Sequence, residues 1–243
     1  MLLNSQANVI SEYCHNSVPE LNPMTLVPDC RQYAPATQRN RLPILEILLQ
    51  VLPPDGTVLE IASGTGEHGA FFASRLQPRG WLPSDHNPIA LKSIAAWRDH
   101  SPVPNLYPPL ELDVQEPVWP VERGEPLPEI PGLDLNAHPI RAIVNINMIH
   151  IAPWSACLGL MAGAERLLPP GGILYLYGPF KQGGRHTAPS NADFDASLKA
   201  QDSTWGVRDL EEVVATARDH KFVLSTTHAM PAHNLSVTFR AEA

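Results

Sequence analysis

Glu60-Ile61-Ala62-Ser63-Gly64-Thr65-Gly66 is the segment of this chain best suited to holding a ligand. Glycines at a strand-to-helix turn permit positive φ and let a ligand approach the backbone. A helix beginning near Glu67 adds N-terminal amides and the positive end of its dipole. With Gly69 the string also reads G-x-G-x-x-G, the spacing of dinucleotide sites, so spacing alone is ambiguous. It also admits the plain reading of a tight turn. Charge separates the ligands. A pyrophosphate here would be repelled by Glu60 behind the turn and by Glu67 on the helix N-terminus. The ammonium of a methionine moiety would be drawn to a carboxylate, which favours S-adenosylmethionine (SAM).

Further polar residues fall where ligands of open α/β sheets bind, outside the carboxyl ends of the strands. Asp85 ends a short strand and could hold two ribose hydroxyls, or cap the helix after Asn87-Pro88. Asp113 suits an adenine amino group, or a turn. Asn145, Asn147 and His150 interrupt an apolar run. Asn145 is read as satisfying backbone inside the fold, and Asn147 and His150 as facing the ligand. His150 is the leading candidate for a general base, followed by Tyr177 and Lys181. Trp154, Tyr177, Phe180, Phe194 and Trp205 are candidate pocket walls. Asn191, Asp193 and Asp195 could touch an acceptor or cap a helix. The ten histidines show no H-E-x-x-H and no helical i, i+4 pair, so no metal is expected.

These residues need a scaffold. Residues 43–52 carry a helical apolar stripe opened by Pro43 and stopped by Pro53-Pro54. Strands follow at 57–62, 81–85, 110–112, 140–149 and 173–177, with helices at 69–76, 88–100, 154–168 and 208–220. The segment 178–205 reads as a loop or lid. Strands at 222–227 and 235–240 are seven residues apart, too close for a crossover helix, so they form an antiparallel hairpin. The expected fold is α/β: a Rossmann-like, doubly wound, mostly parallel sheet with an antiparallel strand at its C-terminal end. Ordinary dehydrogenase domains lack that hairpin.

Composition narrows the classes. Apolar residues make up 44% of the 243 residues and charged ones only 17%, against about a quarter in typical domains, which argues for a packed core. A net charge of −8 disfavours nucleic acid. No apolar run reaches a membrane span, and the first residues lack a signal-peptide pattern. Three scattered cysteines suit a reduced, cytoplasmic setting. Residues 1–28 read as a mobile extension, with Met24 a possible alternative start, and 29–243 as one domain. Proline is doubled, with 26 residues against about 5% in average proteins. Ten crowd residues 102–139, including an irregular insert at 122–138. Pro35, Pro83, Pro153, Pro179 and Pro189 are expected beside the pocket, where stiff loops lower the entropy cost of forming it.

The chain resembles the class I SAM-dependent methyltransferase-like family that includes methyltransferase-like protein 26, catalogued as domain of unknown function 938. The resemblance rests on Tyr33-Ala34-Pro35-Ala36, Arg39-Asn40-Arg41, the Glu60–His68 segment and Trp81-Leu82-Pro83-Ser84-Asp85. It continues through Leu112-Asp113-Val114, Ile146–His150, Tyr177–Phe180, Ser190–Asp195, Trp205–Asp209 and Met230–Asn234. It implies a seven-stranded methyltransferase fold and a SAM pocket, and by position it brings Glu60, Gly64, Gly66, Asp85 and Asp113 into cofactor binding. Ala62, His86, Val114 and Asn147 join that expected set, and Arg39, Trp154, Asn191 and Asp193 the expected acceptor site. The leading expectation is methyl transfer to a small or medium-sized acceptor. The alternatives are a SAM-fold binding module without turnover and an NAD-dependent oxidoreductase.

Overall fold

In a computed structural model of the chain, the alternating strands and helices form one sheet covered on both faces. The structure describes residues 29–124, 127 and 130–243. The extension expected over 1–28, and Met24 within it, lie outside the described residues. The strands β1 (Thr57–Ile61), β2 (Gly80–Asp85), β3 (Leu110–Glu111), β4 (Ile140–Ile146) and β5 (Ile173–Gln182) run parallel in the order β3-β2-β1-β4-β5. Two-residue strands β6 (Arg185–His186) and β7 (Arg208–Asp209) pair with the end of β5. The last strand, β9 (Asn234–Ala241), inserts antiparallel between β5 and β8 (Phe222–Met230). The main sheet thus has seven strands, with β9 alone opposed to the rest. The order reverses between β1 and β4, and such a switch point opens a crevice at the carboxyl ends of the strands.

Alternation along each strand assigns the faces. Val58, Trp81, Val144 and Tyr175 pack under α1 (Pro35–Val51) and α2 (Glu67–Ala73), with α3 (Pro88–His100) beside α2. Leu59, Leu82, Ile143 and Leu174 pack under α4 (Trp154–Leu167) and α6 (Leu210–Asp219). The remaining helix, α5 (Pro189–Gln201), packs on β6 beyond the end of β5.

Three expectations change. The first helix starts at Pro35 rather than Pro43, which lies in its interior. Its first two turns carry no apolar stripe, because their buried residues are the polar Thr37 and Asn40. The segment expected as a lid, 178–205, is instead the extended end of β5, β6 and α5. The buried residues of α5 are Asn191, Asp195 and Leu198, two of them polar, so hydrophobic periodicity is faint there. The irregular insert before β4 is anchored: Trp119 and Ile130 are buried, and Leu127, Leu133 and Leu135 pack on the core.

Pro83 sits inside the sheet yet leaves no donor missing. The N–H of Trp81 donates to Asn105 and its carbonyl accepts from Tyr107. The Asp85 carbonyl accepts from Leu112. By alternation the backbone of Pro83 faces the same way, toward Tyr107-Pro108-Pro109, where the ladder lapses between the Trp81–Leu106 bridge and β3. The prolines on both sides of that gap leave few donors there to satisfy.

Candidate functional site

The glycine turn grows out of β1. Ala62 (φ 55°), Gly64 (φ 58°) and Gly66 (φ 86°) all take left-handed backbone. A side chain at Gly66 would come within 2.7 Å of the Ile94 α-carbon, whereas Gly64 faces open space. Asp85, which is buried, holds the turn in place. Its carboxylate accepts from the N–H groups of Gly64 (3.0 Å) and Asn87 (2.9 Å). Glu67 accepts from the N–H of Ala34 (2.6 Å) and the hydroxyl of Thr65 (3.2 Å). Glu60 lies beneath the turn, accepts from the Trp81 indole N–H (2.9 Å), and has its pKa pushed up by burial to about 7. The amide of Asn145 donates to the Ile61 carbonyl (3.0 Å), the backbone role expected of it.

Two clefts open above the switch point. The first has a cavity volume of about 190 Å³. Ala62, His86, Leu112, Asp113, Val114 and Gln115 form one side. Met148, Ile151, Ala152, Pro153, Ala156 and Trp205 form the other. Asp113 also accepts from the N–H of Gln115 (2.9 Å), so turn and cleft uses coexist. The second cleft is wider, about 590 Å³. Ala36, Arg39 and Asn40 of α1 line it, as do Ser190, Asn191 and Phe194 of α5. Asn147, Tyr177, Pro179, Pro231, Ala232 and Asn234 complete its lining. Ile151 lines both clefts, and Asn147 (φ 67°) donates its N–H to the Tyr177 carbonyl (2.8 Å) where they meet. Burial pushes the Tyr177 phenol pKa up, against the pull of Asn40, Asn234 and Arg39 beside it.

Several expected residues sit elsewhere. His150 has no exposed surface and lines neither cleft. Its ring packs edge-on to Phe180 at 5.0 Å, and burial lowers its pKa to about 3. It cannot reach an acceptor, so it is a packed core histidine rather than a base. Lys181 lies outside both clefts, on the part of β5 paired with β6 and β7. Trp154 stacks on Arg208 (5.6 Å) and Asp193 is exposed on α5, and neither lines a cleft. Asp195 accepts from Lys199 (2.6 Å) and the Val207 N–H (2.7 Å). Glu60, Gly64, Gly66 and Asp85 shape the first cleft from behind rather than lining it. Of the expected flanking prolines, Pro153 and Pro179 line a cleft, Pro35 and Pro189 open α1 and α5, and Pro83 is buried in β2. Sequence reasoning missed Gln115, Met148, Ile151 and Asn234. Met148 reads as continuing the apolar strand, while a short turn at 148–150 carries it over the crevice with Ile151 just past it.

The strand order, the opposed β9 and the crevice at the β1–β4 switch define the class I methyltransferase fold. Residues 31–241 match the family described as "Protein of unknown function (DUF938)", and the chain belongs to it. Among solved structures it is similar to an O-methyltransferase family protein from Burkholderia thailandensis, with a TM-score of 0.68 and 14% identity over 86% of this chain and 58% of that one. It is similar to human N-acetylserotonin methyltransferase in complex with SAM, with a TM-score of 0.63 and 15% identity over 86% and 53%. A third is an O-methyltransferase family 2 protein from Planctomyces limnophilus in complex with apigenin, with a TM-score of 0.60 and 19% identity over 84% and 60%. The chain therefore spans less than two thirds of the length of these proteins. At such identities the likeness establishes the fold. Among the described residues no helix is long and apolar enough to cross a membrane.

Proposed function

We propose that this chain is a SAM-dependent methyltransferase acting on a small or medium-sized acceptor. The observation that carries the reading is the pair of clefts meeting at Ile151 over the switch point, one narrow and one wide. The narrow cleft fits the cofactor. Its apolar walls, Leu112, Val114, Met148 and Ala156, suit a flat heterocycle, and Asp113 and His86 offer polar contacts to its hydroxyl and amino groups. The open space at Gly64 admits close approach to the turn.

When bound, SAM supplies a methyl group on a sulfonium leaving group. The methyl passes to a nucleophilic atom of the acceptor, S-adenosylhomocysteine departs, and the acceptor's proton goes to solvent. The protein's part is alignment and exclusion of water. Asn147 and Ile151 set the junction between the clefts, and Tyr177, kept protonated by burial, holds a hydrogen bond rather than accepting a proton.

Calorimetry with SAM, S-adenosylhomocysteine and NAD tests the reading. Micromolar binding of the two SAM compounds is expected, and binding of NAD alone overturns it. Transfer of labelled methyl from SAM into a small-molecule cell extract separates an enzyme from a binding module. SAM binding without any transfer would leave the module.

A further inference from the structure

The lining of the wide cleft has a one-sided charge. Among the described residues Arg39 is its only ionised residue, and no carboxylate joins it. Among the described residues no ion pair or side-chain hydrogen bond occupies the Arg39 guanidinium, although the protein carries a net charge of −8. The other polar groups are neutral: the amides of Asn40, Asn147, Asn191 and Asn234, and the hydroxyls of Ser190 and Tyr177. The acids nearest in sequence are accounted for. Asp195 is spent on Lys199, His186 and the Val207 N–H, and Asp193 lies exposed outside the lining.

The first turn of α5 also opens on this cleft through Ser190 and Asn191, and Pro189 at its start brings no acidic side chain. A helix N-terminus carries roughly half a positive charge, and one guanidinium adds a full one. Together they supply roughly one and a half positive charges, enough to balance a single carboxylate but not two. A guanidinium fork also fits the two oxygens of a carboxylate in the plane of the group. Phe194, Ile151, Pro179, Pro231 and Ala36 offer apolar surface to the remainder of a ligand.

We infer that the acceptor is a monocarboxylic acid with an apolar body, its carboxylate paired with Arg39 across the wide cleft. This rests on the methyltransferase reading for the word acceptor, but the acid site itself does not. The apolar body runs toward Ile151 and Asn147, where the clefts meet, so the carboxylate is the anchor and the far end is the methylated end.

Benzoate, cinnamate, indole-3-acetate and octanoate, each compared with its primary amide, are titrated calorimetrically into the protein with and without S-adenosylhomocysteine. At least one acid is expected to bind tenfold or more tightly than its amide. Arg39→Gln should erase that preference and Arg39→Lys restore part of it, with melting temperature unchanged because Arg39 is exposed. No acid binding more tightly than its amide overturns the inference, as does a preference that survives Arg39→Gln. The two readings fail separately. An Arg39-dependent preference for acids without any SAM binding refutes the methyltransferase and keeps the acid site, and S-adenosylhomocysteine binding without that preference does the reverse.

Discussion

Gly159→Ala should damage the narrow cleft without replacing any residue that lines it. Gly159 lies in α4, where alanine alone would stabilise the helix by about 1 kcal/mol. Here the new methyl would stand 2.2 Å from the Val114 carbonyl oxygen and 2.9 Å from its carbon. That is roughly 1 Å inside ordinary van der Waals contact. The obstacle is backbone, so no rotamer change relieves it. The same carbonyl accepts from the Trp119 indole (3.3 Å), which resists its retreat. Overpacking of this kind costs about 1–3 kcal/mol. With the helix gain subtracted, a net loss of up to about 2 kcal/mol is expected, or up to roughly 4–8 °C in melting temperature for a chain of this size. Because Val114 and Gln115 line the cleft, S-adenosylhomocysteine affinity should fall at least tenfold. Thermal unfolding and calorimetry read both quantities. A melting temperature that rises by several degrees with unchanged affinity would refute the reasoning.

Gly163→Ala, one turn further on, would place a methyl 2.1 Å from the buried Trp119 ring, and indole fluorescence should shift with a stability loss of about 1–3 kcal/mol. Fluorescence identical to the parent would show that the ring has room. Asp85→Ala strips the acceptor from the Gly64 and Asn87 N–H groups, so stability should drop by about 1–3 kcal/mol and SAM affinity at least tenfold, and unchanged affinity in calorimetry would separate the turn from the ligand. Glu60 titrates near 7 in the fold and 4.5 as its ordinary value, so the unfolded chain loses this proton first and the group withdraws stability as pH rises from about 4.5 to 7. Glu60→Gln keeps an acceptor for Trp81 and removes that slope, so its stability relative to the parent should improve by up to about 3 kcal/mol between pH 5 and pH 8 in urea unfolding. Buried His68 and His150, with pKa values lowered to about 4 and about 3, act oppositely and withdraw stability below pH 6.5 in both proteins. A pH-independent difference between parent and variant would contradict the placement of Glu60.

The sheet was legible because its core strands are apolar and their turns are punctuated by glycine and proline. The seven-residue gap between the last two strands marked β9 as antiparallel, and the reversal of order that makes the crevice followed from the class. What hid was structure built on polar contacts. The start of α1 buries Thr37 and Asn40, and α5 buries Asn191 and Asp195, so neither shows the stripe that reveals a helix. The glycine turn was legible for the same reason as the sheet, but its carboxylates were not. Glu60, Glu67 and Asp85 are spent on Trp81, Ala34 and Gly64, partners that sequence spacing does not disclose. His150 was misplaced for a related reason. A histidine ending an apolar strand is equally suited to a ligand and to the core, and only the packing of Phe180 against it decides.

The burial of His150 bears on the chemistry of the acceptor. The wide cleft contains an arginine, four asparagines, a serine and a tyrosine whose phenol is held protonated by burial. None of these takes a proton at neutral pH. Under the proposed methyl transfer, a reactive oxygen or nitrogen of the acceptor would reach its nucleophilic form through its own acidity, with solvent receiving the proton. The pH dependence of kcat/KM should then rise through a single limb whose midpoint moves with the acceptor's own pKa across a series of substituted acids. A protein base would instead hold the midpoint fixed while the acceptor varies. A midpoint that stays fixed as the acceptor varies would assign proton removal to a group of the protein and refute this reasoning.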